Sequence, residues 1–225
     1  MATPAWDVFV VLSVALVLGV VFLARQTAGL LGADRSPLEQ LSTRTLYLNV
    51  AVSHALILAL AGLLVWWTAV PLFSLGIGTA PQLGWLVGLT VVLVAFNEVA
   101  DRIARAVGDP DNPLRALLIP KRGIDWLVLA GLVLPVIALT EEFLFRGLLI
   151  GAFAAGTPLA PPVLILGSAL AFGAAHTAQG RLGVAVATAL GVGLGIVYYW
   201  SGSLWLVIGA HYLVDLVEFA RHAGD

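Results

Sequence analysis

Seven stretches of near-continuous apolarity run along the chain, at about 6–24, 46–67, 83–97, 126–155, 162–176, 183–200 and 203–219. About 20 apolar residues carry an α-helix across the roughly 30 Å hydrocarbon core of a bilayer, so each stretch is read as a span. Pro71, Pro81, Pro110, Pro113, Pro120, Pro158, Pro161 and Pro162 fall between them, as expected of residues that interrupt helices. A transmembrane β-barrel needs alternating segments of about ten residues, and these runs do not alternate. The pattern predicts an all-α, polytopic bundle of about seven spans. One run is too long: 126–155 holds 30 residues. Pro135 is expected to divide it, with 126–134 tilted or near the interface. Glu141 then lies about two turns into the membrane and can meet His176; without the break it would be about 22 Å from the surface at 1.5 Å per residue.

Alternate loops of a seven-span protein face the same side, so the basic residues can be asked which side they choose. Arg25, Arg35 and Arg44 fall in the first loop, Arg102, Arg105, Arg115, Lys121 and Arg122 in the third, Arg181 in the fifth and Arg221 in the tail. The even-numbered loops hold none. Positive residues collect inside, so the N-terminus is expected outside and the C-terminus inside. Trp6, Trp66, Trp67, Trp85, Trp200 and Trp205 sit at the outer ends, beside Tyr198 and Tyr199, and Trp126 alone at an inner end. Indole favours the headgroup level, so this is an interfacial belt. The first span lacks a basic leader and reads as a true span, not a cleaved signal. Residues 1–124 are expected to form an N-terminal region of three spans and 125–220 a catalytic core of four.

Composition agrees: 60% of the 225 residues are hydrophobic and 11% charged, with a mean hydropathy of +1.02. The expected place is a multi-pass position in a prokaryotic plasma membrane, with the lipid bilayer as one partner and no nucleic acid. Cysteine is absent, which excludes disulfides, thiolate metal sites and a Cys nucleophile.

Charge inside the spans changes the picture. A carboxylate at the bilayer centre costs roughly 2.5–3.5 kcal/mol on insertion scales, yet Glu141, Glu142 and Arg146 sit together in the fourth span. Glu142 and Arg146 are four residues apart, the spacing of a helical ion pair. Consecutive residues point about 100° apart, so Glu141 faces elsewhere and is free to act as a general base. His211 and Asp215 are also four apart, and a carboxylate there can fix an imidazole that donates to an oxyanion. With His176 and Glu141 they offer two nitrogens and two oxygens to a divalent metal instead, zinc being the natural candidate. His54, alone in the second span, reads as a satisfied packing residue, and His222 as a solvated tail residue. No His-Glu-x-x-His is present, so the zinc-protease helix is excluded. Ser201-Gly202-Ser203 lies at the opposite end from His176, which sets a Ser–His mechanism aside. Gly147 with Gly151, and Gly191 with Gly195, have the spacing of close helix packing.

At these residues the chain resembles the CPBP intramembrane proteases, the CAAX proteases and bacteriocin-processing enzymes. Glu-Glu-x-x-x-Arg matches Glu141, Glu142 and Arg146; Phe-x-x-x-His matches Phe172 and His176; His followed four residues on by Asn or Asp matches His211 and Asp215. The similarity covers about 125–220, with the three motifs in family order. It implies endoproteolysis within the membrane, at its best known the removal of a C-terminal tripeptide after a prenylated Cys. It implies a water activated by Glu141 with His176, an oxyanion supported by His211 and Asp215, and supporting roles for Glu142, Arg146 and Phe172. Both metal-dependent and metal-free glutamate mechanisms are argued for such enzymes, so no cofactor is assigned and zinc stays open on Glu141, His176, His211 and Asp215. Where the prenyl-processing branch has Asn, this chain has Asp215; an ionised Asp cannot donate, so that role passes to His211 or a protonated Asp215. The expected substrate is a membrane-associated protein or peptide, prenylated in the CAAX branch. Two other readings stand beside it: a degenerate member acting as an interaction or immunity protein, and an ion-coupled transporter. The transporter expects an inverted repeat, which seven spans with charges gathered in the second half do not offer.

Overall fold

The computed structural model describes residues 3–32, 36–106 and 113–223, and among them the chain is helical with no strand. The helices are α1 (Trp6–Leu31), α2 (Thr43–Trp67), α3 (Leu83–Ala106), the short α4 (Pro113–Leu118), α5 (Gly123–Gly156), α6 (Pro161–Ala175), α7 (Gly180–Ser201) and α8 (Leu204–His222). Arg35 and Pro110 lie outside the described residues. The predicted all-α bundle is found. α1, α2, α3, α5 and the stretch 177–201 containing α7 are long and apolar enough to cross a membrane. α6 is apolar but has only 15 residues, and α8 carries Asp215, Glu218 and Arg221. Leu18, Leu56, Leu63, Val91, Leu127 and Leu170 are each more than half exposed. Such an apolar exterior on apolar helices belongs against lipid. The chain is an integral membrane protein.

Helices outrun the apolar windows, because apolarity marks the lipid-facing stretch and not where hydrogen bonding stops. Arg25, Arg44, Arg102 and Arg105 therefore ride on helical turns, not in loops. At one end of the bundle Arg44 and Arg122 approach Asp125 at 3.3 and 3.6 Å, and Glu98 pairs with Arg102 and Arg221. The exposed Trp66, Trp67, Trp85 and Trp200 lie at the other end, where Trp205 donates its indole N–H to the Ile77 carbonyl at 2.8 Å.

α5 is continuous from Gly123 to Gly156, so Pro135 does not divide it. A π-helical turn over Leu129–Val133 precedes the proline. Proline crowds the carbonyl four residues back, here that of Gly131, and the wider winding at that point relieves the clash. A second π stretch, Phe143–Ala152, begins directly after the two glutamates. Its irregular carbonyls need outside donors, and the buried Ser168 hydroxyl of α6 donates to the Phe145 carbonyl at 2.5 Å.

Helix length then sets depth. α5 and α6 form an antiparallel hairpin through residues 157–160. Its second arm ends after 15 residues, about 22 Å, short of a full crossing. Counting the same 15 residues back from Gly156 reaches Glu141, so His176, the C-cap of α6, stands at the level of Glu141. On the other side, a Cβ on Gly147 would lie 3.8 Å from the Leu204 side chain. Six or seven residues in opposite directions from that contact lead to Glu141 and His211. α6 holds close to α7 at Gly173 and Gly191: a Cβ at 191 would stand 3.0 Å from Cα of Ala169, and one at 173 would run into the Thr188 hydroxyl. Ser203 has a structural role: it caps α8 through the Leu206 amide and donates to the Thr79 carbonyl at 2.7 Å.

Candidate active site

Glu142 and Arg146 are both wholly buried, and Arg146 Nη1 donates to Glu142 Oε1 at 2.8 Å. The expected ion pair is formed. Arg146 Nη2 also reaches the Gly191 carbonyl at 3.4 Å, and its guanidinium carbon stands 4.5 Å from the centre of the Phe172 ring. Phe172 in turn lies against the His176 ring, centroids 4.3 Å apart. One motif thereby packs onto the next.

Glu142 does a second thing that its spacing did not reveal. His211 Nδ1 donates to Glu142 Oε1 at 2.7 Å, while Asp215 approaches the other nitrogen, Nε2, at 3.5 Å. The partner that orients His211 is therefore Glu142, from a different helix, and not Asp215 four residues on. His176 is oriented by its own helix, Nδ1 donating to the Phe172 carbonyl at 2.8 Å. A carbonyl only accepts, so Nδ1 carries the hydrogen in the neutral ring and Nε2 is left as an acceptor.

Glu141 is where these groups meet. Its Oε2 stands 3.8 Å from His176 Nε2 and 3.7 Å from His211 Nε2, and is buried with no hydrogen-bond partner within the chain. Buried polar atoms are rarely unpaired, and separations of this size are those a water can bridge. Glu141, His176, His211 and Asp215 are thus brought together, with Glu142, Arg146 and Phe172 behind them. Two residues differ from the sequence reading. His54 is not idle packing: its Nε2 stands 3.8 Å from Glu141 Oε1. His222 is not solvated: it closes α8, Nδ1 donating to the Glu218 carbonyl at 2.9 Å and Nε2 3.5 Å from Asp101.

Two cavities meet at this cluster. A cavity of about 600 Å³ opens between α1, α2, α5 and α8, lined by apolar groups such as Leu23, Ile57, Leu134 and Ile137, with His54 and Glu141 in its wall. A smaller cavity of about 160 Å³ lies on the α3 and α7 side and is lined by Asn97, Asp101, Arg105, Gln179 and Glu218. His176, His211 and Asp215 border both.

The donor set has the chemistry of a zinc site, with separations a few tenths of an ångström wider than a bound zinc would set. Zinc bonds of about 2.0–2.1 Å in a tetrahedron place neighbouring ligand atoms about 3.3–3.4 Å apart. The nitrogens here stand 3.7–3.8 Å from the Glu141 oxygens. Among the described residues no group of three or more His, Cys, Asp or Glu is arranged to hold a metal ion.

Residues 123–217 match the family described as type II CAAX prenyl endopeptidase Rce1-like. The match covers 95 of the 225 residues, and it is over this segment that the chain is similar to the CAAX protease (CPBP) family. No curated protein and no solved structure matches the chain. At family level the activity is CAAX-type endoproteolysis in a membrane, and the family's substrates are membrane-associated prenylated proteins. The three CAAX-protease motifs all lie inside the matched segment; His54, on α2, lies outside it.

Proposed function

We propose that the protein is an intramembrane endopeptidase in which Glu141 and His176 activate water against a peptide bond. The observation that carries this reading is the unpaired, buried Oε2 of Glu141 between the Nε2 atoms of His176 and His211. A water placed there donates one proton to Glu141 and hydrogen-bonds to His176 Nε2 with the other. Its oxygen attacks the substrate carbonyl while Glu141 takes the proton, leaving a tetrahedral oxyanion. His211, doubly protonated, gives Nδ1–H to Glu142 and turns Nε2–H to that oxyanion, with Asp215 as the nearby counter-charge. When the C–N bond breaks, the proton on Glu141 passes to the departing amine. The products are a shortened chain with a new carboxylate and a free amine. The hydroxyl proton left on the new carboxyl group passes to His176 Nε2 and on to solvent, so both protons of the water are placed.

The cavities suit the two reactants. The apolar chamber fits a lipid-like or hydrophobic portion of a membrane-associated substrate, prenylated or not, since pockets of this size bury such groups on apolar walls. The smaller, polar chamber supplies water and takes the departing peptide. The reading extends to a multi-pass position in a prokaryotic plasma membrane.

The test is cleavage of a fluorogenic peptide ending in the CAAX pattern, farnesylated or unmodified, by detergent-purified protein. Glu141→Gln should accumulate as wild type and lose cleavage by about 10²–10⁴-fold, the range for removing a general base. Cleavage by the variant at the wild-type rate refutes the assignment. Equal rates on both peptides remove prenyl recognition while leaving the peptidase intact.

A further inference from the structure

Glu141 is approached from a side that the family match does not reach. Its two oxygens are divided: Oε2 faces His176 and His211, whereas Oε1 faces Nε2 of His54 at 3.8 Å. We propose that His54 is a positioning residue for Glu141, holding Oε1 so that Oε2 is the oxygen offered to water. The inference rests on the peptidase reading above.

α2 lies against α5 at this level: the Thr140 hydroxyl, one residue before Glu141, donates to the Val136 carbonyl at 2.7 Å and stands 3.2 Å from the main-chain carbonyl of His54. The His54 ring is itself oriented. Nδ1 lies 2.9 Å from the Val50 carbonyl, which only accepts, so Nδ1 is the donor there and Nε2 is the atom turned to Glu141. At 3.8 Å the contact is longer than a direct hydrogen bond, but within reach of a shared water or a small closing movement with substrate present.

The torsion that carries a carboxylate is broad and two-fold, so an unheld Glu141 presents its two oxygens interchangeably. Three imidazoles set around it, one on Oε1 and two on Oε2, remove that freedom. Each ring has its Nδ1 engaged elsewhere, on Val50, Phe172 and Glu142, which leaves each Nε2 directed at the same carboxylate. A histidine present only for packing needs no such alignment. His54 lies in the wall of the apolar chamber, so the competing role is contact with substrate.

Two variants separate these roles. His54→Asn keeps an amide donor near the Val50 carbonyl but has no atom where Nε2 lies; His54→Gln carries its amide out towards that position. Purified full-length wild type, both variants and Glu141→Gln are compared for accumulation, kcat and KM on the farnesylated peptide. His54→Asn should lose about 10–100-fold in kcat, the range for losing a partner that orients a site group, with KM within about twofold. His54→Gln should recover at least a third of that loss on a logarithmic scale, and both should accumulate. Equal kcat in the two variants, whether as wild type or equally reduced, overturns the proposal. So does a change confined to KM, which makes His54 a substrate contact. These outcomes leave wild type active and Glu141→Gln inactive; an inactive wild type, or an active Glu141→Gln, overturns the peptidase reading itself and His54's role with it.

Discussion

Removing the charge of Glu142 should cost the protein a substantial part of its stability, and removing Arg146 as well should restore much of it. Both side chains are wholly buried, and Glu142 Oε1 is the carboxylate oxygen in contact with the guanidinium, at 2.8 Å. In Glu142→Gln an acceptor remains but the counter-charge is gone. Breaking one side of a buried pair costs about 3–5 kcal/mol, out of the about 5–15 kcal/mol that holds a typical fold. For a chain of this size each kcal/mol moves the melting point by about 2–4 °C, so a fall of roughly 10 °C is expected. Glu142→Gln combined with Arg146→Met leaves no stranded charge. It forfeits the contacts of Arg146 with the Gly191 carbonyl and the Phe172 ring, the second worth about 0.5–2 kcal/mol. The double variant should therefore melt only a few degrees below wild type. The assay is the midpoint of thermal aggregation in detergent, with accumulation in the membrane as a second readout. A double variant that melts below Glu142→Gln refutes the argument, as does Glu142→Gln melting with wild type. Regained stability should not bring back activity: Glu142 also accepts the His211 Nδ1 hydrogen at 2.7 Å, and losing that orientation should lower kcat by at least about tenfold.

Other expectations follow from the packing and the site. Gly173→Ala should cost about 1–3 kcal/mol by overpacking, since its Cβ would meet the Thr188 hydroxyl and stand 2.9 Å from the Val184 carbonyl oxygen; His176 shifts with α6, so an unchanged kcat would count against the helix-length argument. A topology reporter at residue 78 should be external and one at 110 internal, and the reverse result overturns the proposed orientation. Purified enzyme should keep its activity after exhaustive chelation, and added zinc should inhibit by engaging Glu141 and the imidazoles; loss on chelation, restored by one divalent ion, reverses the choice of mechanism. Asp215→Asn should retain or raise activity, because the amide can donate to an oxyanion, whereas in a metal mechanism the loss of an anionic ligand lowers it.

The helical class and the membership of the candidate cluster were legible because they rest on short-range regularities. Continuous apolarity marks a span without regard to its neighbours, and the Glu142–Arg146 pair lies four residues apart on one helix, where geometry leaves little choice. Pro135 misled, since a proline in a membrane helix can be met by a π turn as well as by a break, and nothing local in Leu129–Val133 announces the wider winding. The partner of His211 misled for the opposite reason. Asp215 stands at the helical spacing, and the stronger hydrogen bond comes from Glu142 across 69 residues of chain, a pairing that only the depth of α8 against α5 decides.

His54 shows where a rule applied too locally gives way. Within its own window it has no acid three or four residues away and no motif around it, so a packing role is the natural inference. Weighed by the cost of an ionisable group among Leu, Ile and Val, it is the one imidazole in an otherwise uncharged stretch of α2, and such groups face other polar groups or water. The acid that meets that face is Glu141 of α5, where Thr140 lies against the His54 carbonyl. Each of the chain's three imidazoles at this depth turns Nε2 to Glu141, and they come from α2, the end of α6 and the middle of α8. A carboxylate met by three helices that share no sequence motif is held by the bundle as a whole, which is why the N-terminal region outside the matched segment belongs to the proposed site and not merely to its scaffold.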